Sequence, residues 1–303
     1  MDILNCYDNK LSSLDVSGCT QLTELRCSKN RLSKLDISKN TQLTYLNCSG
    51  NNLSNLDLSQ NTQLKYLNCS SNTLSSLNVS GCTQLTKLEC FNNTLTSLDV
   101  SGCTQLTELY CSNNTLNSLD VSGCTQLTRL FCNNNNLSNL DISHNTQLTG
   151  LFCHGNNFST AALDDIYCAL PDRTGKSNGV IKPVFNSSDP NHAIVLATNA
   201  ANATAKNWKV QYYENNSDIT TTGSYDCSSS AAATAAEPAL TLYPNPVADV
   251  LYLSATARTI RIYDIYGIEV AHATDTDRVE VSHLPAGVYT VNADGTVAKM
   301  VKR

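Results

Sequence analysis

The stretch Leu22–Leu32 reads LTELRCSKNRL, and the sequence returns to this pattern every 21 residues. The pattern is L-x-x-L-x-C-x-x-N-x-L. It recurs at Leu43–Leu53, Leu64–Leu74, Leu85–Leu95, Leu106–Leu116, Leu127–Leu137 and Leu148–Phe158, with a partial first copy at Ile3–Leu11. A fixed period in this range is the signature of a solenoid, in which each repeat forms one coil and stacks on its neighbours. We therefore predict a solenoid over residues 1–158.

Each coil offers a set of inward positions, which in the second coil are Leu22, Leu25, Cys27, Leu32, Leu35 and Ile37. The alternation in Glu24-Leu25-Arg26-Cys27 has a period of two, which predicts a short strand in every coil and a parallel sheet across the coils. The return segment 33–42 is too short for a helix of about twelve residues. Because Leu35 and Ile37 also alternate with polar residues, we expect β structure on the return side as well.

Cysteine and asparagine form columns along the repeat. The first cysteine column comprises Cys6, Cys27, Cys48, Cys69, Cys90, Cys111, Cys132 and Cys153. The second comprises Cys19, Cys82, Cys103 and Cys124, with Asn40, Asn61 and Asn145 in the equivalent positions. No CxxC or CxxH spacing of a zinc site occurs, so we expect buried, reduced thiols. We expect the column of Asn9, Asn30, Asn51, Asn72, Asn93, Asn114, Asn135 and Asn156 to bond backbone groups of its own and the next coil.

An aspartate column lies on the return side, and it comprises Asp15, Asp36, Asp57, Asp99, Asp120 and Asp141. Asn78 interrupts it, and the glycine-rich turn of calcium-binding β-rolls is absent. Hydrogen bonding within turns explains these residues better than calcium, and we predict no metal site and no cofactor.

The repeat resembles the leucine-rich repeat. More narrowly, it resembles the 21-residue cysteine-ladder repeats of internalin-like bacterial surface proteins. This resemblance implies adhesion to host cells, to other bacteria or within biofilm. The chain starts in mid-repeat at Met1, with neither a signal segment nor a capping element. We therefore expect the natural N-terminus to lie further upstream.

The period ends after Phe158, and residues 159–213 read as a small α/β cap of the solenoid. Ala161–Leu170 places apolar residues on one helical face, and Ser159 precedes it as an N-cap. We predict strands at Val180–Phe185 and Trp208–Tyr213, with a short helix near Asn199–Lys206.

Residues 214–239 contain few large apolar side chains, so we predict a flexible linker there. Cys227 lies in this stretch and Cys168 in the cap helix, and they are the only cysteines outside the two columns. The sequence leaves open whether they are bridged.

Residues 240–303 form a second domain, for which short strands and turn signals predict an immunoglobulin-like β-sandwich. The expected strands are Leu251–Leu253, Thr259–Asp264, Ile268–Ala271, Arg278–Val281, Gly287–Asn292 and Ala298–Val301. Three segments carry a resemblance, namely LYPNPVADVL at Leu242–Leu251, IRIYDIYGIEV at Ile260–Val270 and VSHLPAGVYTV at Val281–Val291. They resemble the C-terminal sorting domain of type IX secretion cargo in Gram-negative bacteria.

This second resemblance implies recognition by the outer-membrane export machinery, removal of the domain and attachment of the mature protein to the outer-membrane surface. It assigns the sorting signal to Tyr243, Pro244, Asn245, Pro246, Gly267, Gly287, Lys299 and Lys302.

Composition and motifs argue against several classes of function. The net charge is −6, with 20 basic and 26 acidic residues, so no nucleic-acid surface is expected. No apolar run reaches the roughly 18 residues that span a bilayer. The histidines are scattered, and no nucleophile elbow, zinc-protease motif or P-loop occurs, so we predict no catalytic residues and no enzyme.

The outward side chains of the predicted sheet supply the candidate site. The candidate ligand contacts are six aromatic residues and one histidine, namely Tyr45, Tyr66, Phe91, Tyr110, Phe131, Phe152 and His154. Exposed aromatics on consecutive strands are typical of a binding patch, so we predict that this concave face binds a protein or a cell-surface glycan. The alternative is that the rings only stack and stabilise the sheet.

These observations favour a secreted, surface-attached adhesion protein. Two other readings stay open, a targeting arm of a larger secreted enzyme with its catalytic domain upstream and a structural component of a surface coat.

Overall fold

A computed structural model describes residues 2–227, 242–243, 245–264, 269–293 and 296–303. The chain divides into two compact units, Met1–Cys227 and Ser228–Arg303. The first contains the repeats and the cap, and the second contains the segments of the predicted sorting domain. Most regular structure in the described residues is β, which confirms the predicted mainly β fold.

One short strand per repeat forms the solenoid sheet. The strands are β1 Ile3–Asn5, β2 Glu24–Arg26, β3 Tyr45–Asn47, β4 Tyr66–Asn68, β5 Lys87–Glu89, β6 Glu108–Tyr110, β7 Arg129–Phe131 and β8 Gly150–Phe152. They pair in parallel at equal repeat positions, so that Leu25 lies opposite Leu46. The sheet continues into the cap through β9 Gly179–Val184 and β10 Trp208–Tyr212, giving ten strands in sequence order.

The return side of the solenoid is built from turns and differs from the strand that the sequence predicts. Only the isolated bridge between Asn78 and Asp99 has β pairing on the described return segments. In the second coil, the Asn40 N–H donates to the Ile37 carbonyl at 3.0 Å, and the Leu43 N–H donates to the Asn40 carbonyl at 3.1 Å. These local bonds use backbone donors that a second ladder would need.

The columns of the repeat fill the core. The inward leucines from Leu22 onward are buried, and the first-column cysteines from Cys27 to Cys153 are fully buried. No disulfide joins the column cysteines, and Cys6 and Cys19 are the two that are partly exposed. Burial raises the pKa of the Cys111 thiol to about 12, because a dry core disfavours the thiolate.

The asparagine column links each coil to the one before it. Asn114 Nδ2 donates to the carbonyls of Cys90, Cys111 and Ser112, and its Oδ1 accepts from the Leu95 N–H at 3.0 Å. One side chain thus satisfies buried groups of two coils, as expected for a structural amide.

The cap closes the last coil. Helix α1 spans Thr160–Ala169, and the Ser159 hydroxyl accepts from the Ala162 N–H at 3.1 Å. The helix buries Leu163, Ile166 and Tyr167. Two shorter helices follow, α2 His192–Leu196 and α3 Ala201–Thr204, of which only α3 is predicted by the sequence.

Residues 214–227 belong to the first unit, which differs from the linker that the sequence predicts from residue 214. The Thr222 N–H donates to the Leu196 carbonyl at 2.8 Å, and Asn199 Nδ2 donates to the Tyr225 carbonyl at 2.8 Å. A disulfide then joins Cys227 to Cys168 of α1. Hydrogen bonds, the disulfide and the burial of Ile219 in the core hold this segment, although it contains few apolar side chains. Residues 228–239 of the predicted linker lie outside the described residues.

The second unit contains a five-stranded antiparallel sheet. Its strands are β11 Leu242–Tyr243, β12 Val250–Tyr263, β13 Glu269–Glu280, β14 Gly287–Ala293 and β15 Thr296–Lys302. The sequence predicts four short strands where the structure has the two long strands β12 and β13. These two strands pair with each other, and their pairing resumes after a register shift between Tyr252 and Ala257. Buried Leu251, Ile260 and Met300 belong to its core.

Candidate ligand-binding face

Outward side chains of the solenoid sheet form columns, because parallel strands pair at equal repeat positions. The first column, from the first residue of strands β2 to β8, comprises Glu24, Tyr45, Tyr66, Lys87, Glu108, Arg129 and Gly150. The second column, from the third residue, comprises Arg26, Asn47, Asn68, Glu89, Tyr110, Phe131, Phe152 and, in the cap, Lys182. Aromatic residues thus occupy the first column early in the solenoid and the second column later.

The aromatic rings stack along the solenoid. Tyr45 and Tyr66 have ring centres 4.3 Å apart. Tyr110 lies 4.5 Å from Phe131, and Phe131 lies 4.0 Å from Phe152, with an angle of 3° between the last two ring planes. Strands of a sheet are about 4.8 Å apart, so neighbouring rings at one repeat position are brought face to face. We call Tyr45, Tyr66, Tyr110, Phe131 and Phe152 the aromatic row, and all five are partly exposed.

Lys87 connects the two parts of the aromatic row. Its Nζ lies 6.0 Å from the centre of the Tyr66 ring and 4.9 Å from that of Tyr110, within the range of cation–π attraction. It also pairs with Glu89 at 3.0 Å and Glu108 at 3.1 Å. Burial opposes the charge of Lys87, but the two carboxylates outweigh burial and raise its pKa.

The cap extends the row at its C-terminal end. Tyr213 meets Phe152 edge to face, with ring centres 6.2 Å apart. Lys182 Nζ lies 5.7 Å from the Phe152 ring centre and 5.4 Å from that of Tyr213, and it donates to Asn216 Oδ1. Burial lowers the pKa of Lys182. The repeat period ends before these cap residues, so the repeat pattern gives no signal that they adjoin the row.

His154 is placed differently from the outward position that the sequence predicts. Its ring is 3% exposed and packs 4.4 Å from Tyr213 and 5.7 Å from Phe185, measured between ring centres. Burial lowers the pKa of His154 to about 4, although the nearby Asp189 opposes the shift. The cap aromatics cover this histidine, which makes it a packing residue of the row and not a contact for a ligand.

Phe91 is partly exposed but stands apart from the aromatic row. It occupies the second residue after its strand, and it has no ring contact among the described residues of the solenoid. Of the seven predicted ligand contacts, the structure thus brings together the five residues of the aromatic row.

A groove of about 470 Å³ lies beside the C-terminal part of the row. Phe131 and Phe152 form its apolar wall, while Arg129 and Asn178 contribute polar atoms. Gly150 also lines it, and a Cβ at this position would meet Cε2 of Phe152 at 3.2 Å. Glycine therefore gives the Phe152 ring room to lie across the strand.

Several of the predicted sorting residues meet in the second unit. Asn245 Nδ2 donates to the Lys299 carbonyl, and Asn245 Oδ1 accepts from the Val301 N–H, both at 2.9 Å. Asn245 precedes Pro246 through a cis peptide bond, and Gly287 pairs with Lys302 at the start of β14. Tyr243 lies in β11, whereas Pro244 and Gly267 lie outside the described residues.

Comparison with protein families confirms both recognisable parts of the chain. Residues 83–123 match the model for leucine-rich repeats in two copies, and residues 241–303 match the secretion system C-terminal sorting domain. The chain therefore contains leucine-rich repeats and a C-terminal segment that matches a secretion sorting domain. A search of curated proteins found no match.

Solved structures similar to this chain are also leucine-rich-repeat proteins. The Leptospira interrogans LRR protein LIC12759 is 27% identical with a TM-score of 0.52, over 56% of this chain and 47% of that chain. The leucine-rich repeat domain of APL1B is 18% identical with a TM-score of 0.54, over 72% of this chain and 63% of that one. The functional domain of InlJ from Listeria monocytogenes, described as including a cysteine ladder, is 24% identical with a TM-score of 0.43. The match covers 100% of this chain and 67% of that chain.

The sorting domain implies that this leucine-rich-repeat protein is secreted and attached to a surface. No helix in the part of the chain that the structure describes is both long enough and apolar enough to cross a membrane. Within the same residues, no cluster of three or more His, Cys, Asp or Glu could hold a metal ion.

Proposed function

We propose that this protein is an adhesion protein of the outer-membrane surface of a Gram-negative bacterium, and that it binds another macromolecule through the aromatic row. One observation carries the proposal. Five aromatic rings stand at outward positions of the solenoid sheet, where the repeat itself sets no requirement for an apolar side chain. Partly exposed aromatic residues are enriched where proteins bind one another.

The sheet supports binding by holding these rings in place before a partner arrives. Each strand that carries a ring is fixed on both sides by neighbouring strands, and the Asn114 side chain shows how an asparagine bonds two coils at the turn. Little conformational entropy is then lost when a partner binds, and a larger part of the contact energy contributes to affinity.

The ring stacking also supports the second reading, a structural coat component, because stacked rings stabilise neighbouring strands without any ligand. The two functions predict different consequences when the rings are removed by substitution. A coat component depends on the row for folding or packing, whereas an adhesion protein depends on it for capture of a partner.

The test compares capture by the full chain and by the double variant Phe131→Ala/Phe152→Ala. Purified, labelled protein is incubated with host cells, other bacteria and biofilm material, and bound protein is measured. We expect the double variant to lose at least about tenfold in affinity, as hot-spot aromatics do, while its circular dichroism spectrum stays unchanged. Tyr7→Ala removes a 50% exposed tyrosine outside the row and is the matched control.

Retained capture by the double variant would assign the row a structural role and remove the basis for the proposed function. Loss of both capture and folded structure would have the same consequence. A separate experiment addresses location. In the bacterium that makes the protein, deletion of the sorting domain at residues 241–303 should keep the protein in the periplasm, and surface exposure of the deletion variant would refute export through this domain.

A further inference from the structure

The two parts of the aromatic row differ in their charge. In the N-terminal part, Arg26 pairs with Glu24, and Lys87 pairs with two carboxylates. In the C-terminal part, Arg129 and Lys182 form no ion pair with any residue of the described range 2–227. The N-terminal part is thus neutralised internally, whereas the C-terminal part keeps the exposed charge of Arg129 without an ion pair. Lys182 is only 6% exposed and donates to Asn216 Oδ1, so it is not a contact for a partner.

The nearby carboxylates already have partners, although Arg129 is also close enough to Glu108 to help lower its pKa, against the opposing effect of burial and after the larger effect of Lys87. Glu108 is held by Lys87 and accepts from the Tyr110 hydroxyl at 3.0 Å. Asp189 accepts from the backbone N–H groups of Phe185 and Asn191. A third cation, Arg173, is buried and donates to the Ser177 and Leu148 carbonyls and to the Ser177 hydroxyl. Arg129 is exposed and lines the groove, so it is the cation that an outside anion can reach.

The orientation of the rings adds to this preference. Phe131 has Tyr110 on one face and Phe152 on the other, so only its ring edge is left for a ligand. The edge of an aromatic ring carries the positive part of its quadrupole, and the face carries the negative part. Stacking thus hides the faces on which the flat side of a sugar ring would lie, and it exposes edges that favour carboxylates and apolar side chains.

The cap supplies apolar surface next to these edges. Phe185 and Tyr213 are 40% and 39% exposed, and their ring centres are 5.8 Å apart. Tyr213 contacts Phe152, so the exposed apolar surface continues from the aromatic row into the cap. Aromatic anchors next to an arginine are the composition that dominates binding energy at protein interfaces.

We propose that the C-terminal part of the row, with Arg129, Phe131, Phe152 and Tyr213, binds a protein segment that contains acidic and apolar residues. Carboxylates of the partner pair with Arg129 at the groove, and its apolar side chains pack on the ring edges. The inference rests on the proposed function and deepens it by naming the chemistry of the partner.

The experiment measures binding of the full chain to three pools of synthetic peptides by fluorescence anisotropy. All pools share the same leucine and phenylalanine positions, and their remaining positions are Asp/Glu, Asn/Gln or Lys/Arg. A sulfated polysaccharide, heparin, is the fourth probe. We expect the acidic pool to bind at least about tenfold more tightly than the neutral pool, and this preference should shrink as salt rises from about 0.05 to 0.2 M.

Two substitutions with the same change in charge locate the effect. Arg129→Glu should abolish the preference for the acidic pool, whereas Arg31→Glu, at an exposed position outside the row, should leave it unchanged. The double variant Phe131→Ala/Phe152→Ala should weaken binding of the acidic and neutral pools by similar factors, because it removes apolar contacts shared by both.

Equal affinity for the acidic and neutral pools, or preference for heparin over the acidic peptides, would overturn the inference. So would a response to Arg31→Glu as large as the response to Arg129→Glu. If the double variant still loses cell capture in such a case, the proposed function stands and only the chemistry of the partner is wrong. If cell capture is unaffected by the double variant, the proposed function itself fails.

Discussion

The inner and outer faces of the solenoid sheet are made by the same strands, yet they vary in different ways. On the inner face, Leu25 and its counterparts in every later coil are fully buried. On the outer face, the neighbouring position changes from Glu24 through Tyr66 to Gly150. The inner face repeats along the chain, and the outer face does not.

The difference follows from packing. Each inward side chain fills space left by the coils above and below, so a change in one coil disturbs its neighbours. An outward side chain meets solvent and only the residues beside it in the sheet. The repeat therefore fixes the architecture on one face and leaves the other free to acquire a binding surface, which is where the aromatic row lies.

The difference between the inner and outer faces is tested most strongly on β7, where Leu130 points inward and Phe131 points outward. Leu130→Ala should lower the free energy of unfolding by about 2–5 kcal/mol, through lost burial and a cavity. Phe131→Ala should cost less, about 0.5–1.5 kcal/mol for the lost ring pairs beyond a small area term. Chemical denaturation of the two variants measures both values. Equal costs would mean that the outer rings are as structural as the core.

The asparagine column provides a second test on the inner face. Asn114→Ala should lower the free energy of unfolding by about 1–3 kcal/mol, because the Leu95 N–H and three carbonyls lose a buried partner. Asn117→Ala, at an exposed position three residues later, is the control and should change stability by less than about 0.5 kcal/mol. A neutral Asn114→Ala variant would contradict the bridging role of the column.

The sequence was sufficient to predict what is periodic. A fixed period identifies the inward positions without any structure, and the leucine, cysteine and asparagine columns lie where that period puts them. The stacking partners Phe131 and Phe152 could be named in the same way, since they are one period apart and their strands pair in register.

The sequence was not sufficient where structure depends on contacts between distant residues. Burial of His154 is caused by Phe185 and Tyr213 of the cap, whose position cannot be counted from the repeat. The bridge between Cys168 and Cys227 likewise depends on a segment held by hydrogen bonds to the cap. On the return side, Leu35 and Ile37 alternate as in a strand, but consecutive turns give the same alternation.

The buried histidine at the end of the row predicts a pH dependence of stability. The pKa of His154 falls from its ordinary value of 6.5 to about 4 in the folded protein, mainly because burial disfavours the charged ring. The unfolded state then binds a proton more readily, so the stabilisation is complete above pH 6.5 and is lost as pH falls towards 4. The melting temperature should therefore decrease across this interval.

Two variants isolate the contribution of His154. His154→Phe keeps a ring between Phe185 and Tyr213 but cannot be protonated, so its melting temperature should depend less on pH between 6.5 and 4. His144→Phe changes an exposed histidine and should retain the pH dependence of the wild type. The pKa of Asp36 lies below its ordinary 3.8, outside the interval. Burial raises the pKa of Asp164, and the wild type and both variants share that contribution. The same slope in wild type and His154→Phe would refute a buried neutral imidazole.

The smallest effect is expected from reagents that attack the inner face, because its thiols are both covered and protonated. Of the twelve free cysteines, only Cys6 and Cys19 are partly exposed, and the other ten are buried. The thiolate is the nucleophile, and burial raises the pKa of Cys111 and of Cys153 to about 12.

Iodoacetamide added to the folded protein should therefore modify Cys6 and Cys19, leave the other ten unmodified and leave the melting temperature unchanged. Denaturation should expose all twelve, and reduction should add Cys168 and Cys227, as counted by mass spectrometry of the alkylated peptides. Modification of Cys111 in the folded protein as fast as Cys6, or a disulfide between neighbouring column members, would show that the inner face opens to solvent and would remove the distinction between the two faces.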